Sequence, residues 1–277
     1  MGKFFTALFF SLLIITGSAS AEVVTERQGT LNAPLIQGDY GITFKDERPC
    51  EENRASCEER AKAGDLDALF HIAMQELRTP YKEQQALKKL RYAADKDHLE
   101  AQALLGMISM GWENIPPNPE QARYWWEKAA AAGHDGAREN LAVMHYYGDG
   151  GTQDHEKAAQ LFLKSAETGS PKSQFYLGVS YFRGDGLPKD TEKAYDLLQE
   201  AAEGNYPTAQ RVYGQALLSA GQMENAYLWI AQAAIQGDRQ AFEGILKLEG
   251  QINDPERVQE MQQQALKFQE ELKATSK

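Results

Sequence analysis

The chain has 277 residues, 42% of them hydrophobic and 25% charged, and a formal net charge of −11. That acidity argues against a phosphate-binding surface, which needs clustered Lys and Arg, so a nucleic-acid partner is not expected. Only two cysteines, Cys50 and Cys57, are present, which leaves no framework of many disulfides.

In chain order, the first element reads as an export signal. Lys3 is followed by the apolar run Phe4 to Ile15, and Ala19-Ser20-Ala21 has the small-x-small form of a cleavage site. Removal of residues 1–21 takes the formal charge from −11 to −12, since Lys3 goes with them. The run is short for a membrane span, and no later segment is apolar enough, so no membrane insertion is expected after cleavage. The expected location is the periplasm, with secretion as the alternative. Residues 22–48 lack helical periodicity and read as a loosely ordered leader. Cys50 and Cys57 stand at the edge of the repeated region. Seven residues of continuous helix would hold their Cα atoms about 10.5 Å apart, beyond the roughly 7 Å that a bridge tolerates. Either a turn at Pro49 lets them pair, or both thiols stay free.

From Glu58 onward the chain repeats itself. Small residues open successive segments at Ala68, Ala101, Ala137, Ser173, Ala209 and Ala241, with spacings of 33, 36, 36, 36 and 32. Small pairs close five of these segments: Ala93-Ala94, Ala129-Ala130, Ser165-Ala166, Ala201-Ala202 and Ala233-Ala234. Glycines follow four of the pairs, at Gly133, Gly169, Gly204 and Gly237. Within the copy opened by Ala137, apolar spacing predicts a helix to Tyr147. Gly148 and Gly150 break it, Asp154 is a candidate N-cap, and a second helix runs from His155 to Glu167. Each repeat is thus two helices, and neither pair can bury its apolar face without a stacked neighbour. The expected fold is all-α: a right-handed α-solenoid, or superhelix, of stacked antiparallel helix pairs over 49–250. It comprises a leading half repeat and about five repeats. A polar helix beginning at Asp254-Pro255 caps it within 251–277.

The copy opened by Ser173 resembles the Sel-one-like repeat (SLR) family, a relative of the tetratricopeptide repeat. The resemblance rests on Ser173, Leu177, Gly178, Tyr181, Gly184, Gly186, Asp190, Lys193, Ala194, Ala201, Ala202 and Gly204, and covers about residues 61–250. Trp125 and Trp229 take the family's tryptophan position, where this copy has Leu197. The copy opened by Ala101 departs from the pattern, with Trp112 to Pro117 in place of the glycine turn. Membership implies a binding scaffold: an adaptor, an envelope-assembly factor, a signalling modulator or a host-contact protein. A cysteine-rich secreted branch of the family is linked to β-lactams and carries a cysteine pair in each repeat. This chain has no cysteine after Cys57.

No catalytic or metal-binding pattern emerges, and no cofactor is expected. His71, His98, His134, His145 and His155 form no paired ligand spacing. No Gly-x-Ser-x-Gly, Ser-x-x-Lys or phosphate loop occurs. Arg183-Gly184-Asp185 spells an adhesion tripeptide, but the repeat itself demands Gly184 for its turn. A hydrolase of cell-wall material or β-lactams, and a secreted host-binding factor, stand as alternatives to a protein- or peptide-binding scaffold.

Helical geometry locates the candidate surface. Offsets 0, 4, 5 and 8 from each opening residue share one face, and offsets 2, 6 and 9 lie nearly opposite. In related repeats that opposite face lines a concave groove. Here it offers Phe70, Met74 and Leu77, then Met107 and Met110, Val143 and Tyr146, and Phe175, Val179 and Phe182. Tyr147 extends the stripe, and Arg183 and Arg211 border it. Such a Met- and aromatic-rich stripe suits a peptide or amphipathic helix. The same spacing also describes a face that neighbouring helices cover.

Overall fold

The structure, a computed structural model, describes residues 54–112, 115–252 and 254–275; the segments expected to be an export signal and a leader, and Cys50, lie outside them. All named elements there are α-helices, and the one β-type contact is an isolated bridge between Trp112 and Ile115. The chain divides into two compact halves, 54–161 and 162–275 among the described residues.

The N-terminal half contains α1 (Arg54–Lys62), α2 (Leu66–Leu77), α3 (Glu83–Ala94), α4 (Leu99–Ser109), α5 (Pro119–Ala131) and α6 (Asp135–Tyr147). Each packs on the next. The boundary falls within α7 (His155–Ala166). Asp154 caps that helix, its carboxylate accepting from the Lys157 N–H at 2.9 Å, as the sequence suggests. The C-terminal half continues with α8 (Pro171–Arg183), α9 (Thr191–Glu203), α10 (Pro207–Ser219), α11 (Met223–Ile235), α12 (Arg239–Gln251) and α13 (Pro255–Thr275). Consecutive helices from α8 to α12 pack together, and α13 lies against α11.

Small residues set how closely the helices approach. The opening residues Ala68, Ala101, Ala137, Ser173, Ala209 and Ala241 are all fully buried. Offset 5 is also small in five copies: Ala73, Gly106, Ala142, Gly178 and Gly214. Gly106 makes the tightest demand. A Cβ there would sit 2.3 Å from the indole nitrogen of Trp126. That indole donates to the Ala103 carbonyl at 3.0 Å, so α4 and α5 interlock through one buried ring. Gly148 and Gly184 end α6 and α8 with φ of 82° and 83°, left-handed conformations that favour glycine.

Long polar α13 still finds an apolar stripe. Met261 and Ala265 join Tyr227, Ile230, Ala231, Ile245 and Leu248 in one buried cluster. The buried Gln232 amide donates to the Ala265 carbonyl at 2.7 Å, so a side chain of α11 grips the backbone of α13. At the other end, the Cys57 sulfur is in a disulfide and packs with Ile72 and Ala61. The chain's only other cysteine, Cys50, lies outside the described residues.

Candidate functional site

Except before α10, where Tyr206 makes no side-chain cap bond, the first helix of each repeat starts from a side-chain acceptor three residues before the opening small residue. Asp65 accepts from the Ala68 N–H, Ser170 from Ser173 and Asp238 from Ala241. In two repeats the acceptor is a histidine. The Nδ1 atoms of His98 and His134 each accept, at 3.1 Å, from the N–H of Ala101 and Ala137. The hydrogen bond from Ala68, then the one from Arg60, holds the Asp65 carboxyl below its ordinary value, so it caps as a carboxylate.

These cap residues also receive the offset-2 side chain of the preceding repeat. The Phe70 ring stacks on His98 at 5.1 Å, and Phe175 tilts onto Tyr206 at 5.4 Å. In the last such seam the Arg211 guanidinium meets the Asp238 carboxylate at 2.9 Å. Offset 2 is therefore an inter-repeat seam, and Phe70, Phe175 and the partly buried Arg211 are engaged there.

The rest of the stripe divides by position. Leu77, Met107, Met110, Val143 and Tyr146 are buried, so helix packing rather than open groove surrounds them. Met74 and Val179 are partly exposed. Tyr147 and Phe182 are 44% and 47% exposed, and Arg183 is exposed. The exposed members thus sit in the last turn of α6, in the N-terminal half, and of α8, in the C-terminal half. Each precedes a glycine cap. The Tyr147 ring packs edge-on against Tyr146 at 5.1 Å, and the Lys189 ammonium lies 5.6 Å from the Phe182 ring centre. Each aromatic thus touches a neighbour while staying substantially exposed.

His145 is 3% exposed and points its Nδ1 at the Arg123 guanidinium. Burial first, then Arg123, lowers its pKa from 6.5 to about 4. It is neutral near neutral pH and serves as a buried acceptor for Arg123. The turn after α6 closes over this pair, since a Cβ on Gly151 would lie 1.9 Å from the Arg123 guanidinium. Among the described residues no cluster of three His, Cys, Asp or Glu side chains could hold a metal ion. No described helix is long and apolar enough to cross a membrane.

Sequence reasoning missed the histidine caps and the Arg123–His145 pair. The caps had a signal: Asp65, His98, His134, Ser170, Tyr206 and Asp238 all stand three places before an opening residue. The pair had none, because its members lie 22 residues apart on different helices.

Comparison with known proteins agrees with this anatomy. The family profile of the Sel1 repeat matches residues 99–134, 137–170 and 171–206. Among solved structures, the chain resembles a protective antigen present in uropathogenic Escherichia coli strains that displays an SLR fold. The identity is 25% and the TM-score 0.64, over 78% of this chain and 49% of that one. It also resembles a Sel1 repeat protein from Oxalobacter formigenes, at 23% identity and a TM-score of 0.63, over 73% of this chain and 62% of that one. The chain thus spans about half of the first relative and under two thirds of the second. No curated protein matches the sequence. With these likenesses and the consecutive packing of helix pairs in each half, the fold class is the all-α helix-pair solenoid of the SLR type.

Proposed function

Because the chain carries three Sel1 repeats over 99–206, we propose that it is an exported, non-catalytic scaffold that binds a protein or peptide in an envelope process. The observation that carries this reading is the exposure of Tyr147 and Phe182. Both are large, anchored aromatics at the loop end of a first helix, while the remaining apolar stripe is mostly buried. Aromatic anchors of this kind carry most of the energy of protein interfaces. Met74, Val179 and Arg183 supply adaptable apolar and cationic neighbours in their respective halves. Export is supported by the sequence from Lys3 to Ala21. A relative that is a protective antigen is in keeping with it.

The test is a crosslinking pull-down from cell envelopes with wild type, Tyr147→Glu and Phe182→Glu. Both positions are exposed, so circular dichroism should show unchanged folding. Partners recovered with wild type and lost with either variant support the scaffold. Equal recovery from all three would remove these aromatics from the interface. Hydrolysis of nitrocefin or peptidoglycan fragments by the pure protein would overturn the non-catalytic reading.

A further inference from the structure

We propose that the loop between α2 and α3 is a docking tip: Tyr81 enters an apolar slot on a partner protein, and Arg78 and Lys82 pair with carboxylates around that slot. This rests on the binding-scaffold reading above and extends it to residues outside the apolar stripe.

Tyr81 has a left-handed backbone, with φ of 66°, and is 96% exposed. A bulky side chain is strained in that region. Two other non-glycine residues share it, Asp97 at 59° and Asn205 at 64°, and both have a structural reason. They are of the types that tolerate this conformation. Each follows a second helix at the place where other copies have Gly133, Gly169 and Gly237. Each also accepts from a buried glutamine, Asp97 from Gln102 at 3.4 Å and Asn205 from Gln210 at 3.2 Å. Tyr81 has no such return. Among the described residues its ring stacks on nothing and its hydroxyl makes no hydrogen bond; only its N–H is held, by the Glu83 carboxylate at 3.3 Å.

The C-terminal half shows what such a turn needs. Tyr81 precedes Lys82, at the N-cap of α3, and Gly221 precedes Gln222, at the N-cap of α11. Gly221 has φ of 78°, and an added Cβ would meet nothing within 4 Å. Glycine therefore serves the turn, and the tyrosine adds strain without adding a contact. Local rules are broken in this way at functional sites.

The neighbours give the partner's chemistry. Arg78 and Pro80 are exposed and Lys82 is half-buried. The Arg78 guanidinium and the Lys82 ammonium make no hydrogen bond or ion pair among the described residues. Residues 78–82 thus carry two cations and no acid, in a chain of net charge −11. Unpaired cations beside a protruding aromatic suit an apolar slot rimmed by carboxylates. An anionic lipid surface would attract the same two cations but repel the chain as a whole. One aromatic beside Pro80 also offers a membrane little apolar area.

The test has two arms, both on the full chain. Tyr81→Asn keeps the turn and removes the ring, so the thermal midpoint should hold or rise, by up to about 3 °C. A fall would assign Tyr81 to the fold and overturn the proposal. For binding, a benzophenone-bearing phenylalanine is placed at position 81, or at the exposed Glu192 as a control, and photocrosslinked in the cell envelope. Adducts should map to one acidic protein segment. A synthetic peptide of that segment should bind the pure chain, and Tyr81→Asn and Arg78→Gln/Lys82→Gln should each weaken it about tenfold. Adducts no more frequent than at the control position, adducts on lipid, or a peptide bound equally by the variants would overturn the proposal. Partners lost with Tyr147→Glu or Phe182→Glu but kept with Tyr81→Asn would leave the scaffold standing without this tip. An absence of adducts and of partners for every form of the protein would remove both.

Discussion

The two halves use one helix pair and one set of small contacts, yet they anchor their first helices differently. In the N-terminal half, Asp65, His98 and His134 cap α2, α4 and α6, and each histidine also touches a carboxylate of the preceding repeat. In the C-terminal half, Ser170 and Asp238 cap α8 and α12, while Tyr206 before α10 makes no side-chain cap bond. The opening residue and offset 5 are sterically dictated, because helices must approach there. The cap needs only an acceptor, so its chemistry is free to vary without changing the fold.

The sharpest break in the comparison should come from offset 5. Gly106→Ala drives a methyl toward a ring that is buried and hydrogen-bonded, 2.3 Å away. Moving Trp126 would cost about 1–3 kcal/mol, net of the better helix propensity of alanine. In the C-terminal half, a Cβ on Gly178 meets the Ala194 carbonyl at 3.1 Å and Leu198 at 3.2 Å. Small shifts relieve those contacts, so Gly178→Ala should lie within about 1 kcal/mol of wild type. Urea unfolding of both variants measures the difference. Comparable losses would show that the offset-5 contact is uniform along the repeats.

A smaller effect marks the end of the C-terminal half. The Tyr227 hydroxyl donates to Glu249 at 2.6 Å, and Gln262 of α13 donates to the same oxygen at 3.0 Å. Burial first, then the Glu249 carboxylate, pushes the phenol well above its ordinary pKa, so it stays a donor. Tyr227→Phe keeps the ring and leaves Glu249 with Gln262 alone. The expected loss is about 1–2 kcal/mol, since the acceptor is charged. It should be read in the unfolding midpoint with an unchanged slope. A lower slope would mean that α13 had come loose separately.

Much of this architecture was legible in the sequence. Ala137 to Tyr147, the Asp154 cap and the helix from Pro255 follow from small residues, glycines and capping chemistry, which act locally. What covers a face is not local. Spacing put Met107 and Phe182 on one stripe, yet the first is buried and the second 47% exposed. The same limit hid the destination of α13. In the sequence α13 reads only as a polar capping helix; that its Met261 and Ala265 meet α11, where Gln232 bonds the Ala265 carbonyl 33 residues away, is a tertiary outcome. The histidine caps were missed for a chemical reason. Ser, Thr, Asp and Asn are the expected residues at that position, and His takes it only as a neutral Nδ1 acceptor.

The finest discrimination between the halves is a pair of cap deletions. His134→Ala removes the acceptor of the Ala137 N–H, and Ser170→Ala removes that of the Ser173 N–H. Each should cost about 1 kcal/mol, the usual worth of a cap. Thermal unfolding midpoints, each against wild type, give both differences without reference to absolute stability. A loss at Ser170 with none at His134 would mean that the imidazole nitrogen anchors α6 less well than a hydroxyl anchors α8, and that the two halves differ in the strength of their caps as well as in their chemistry.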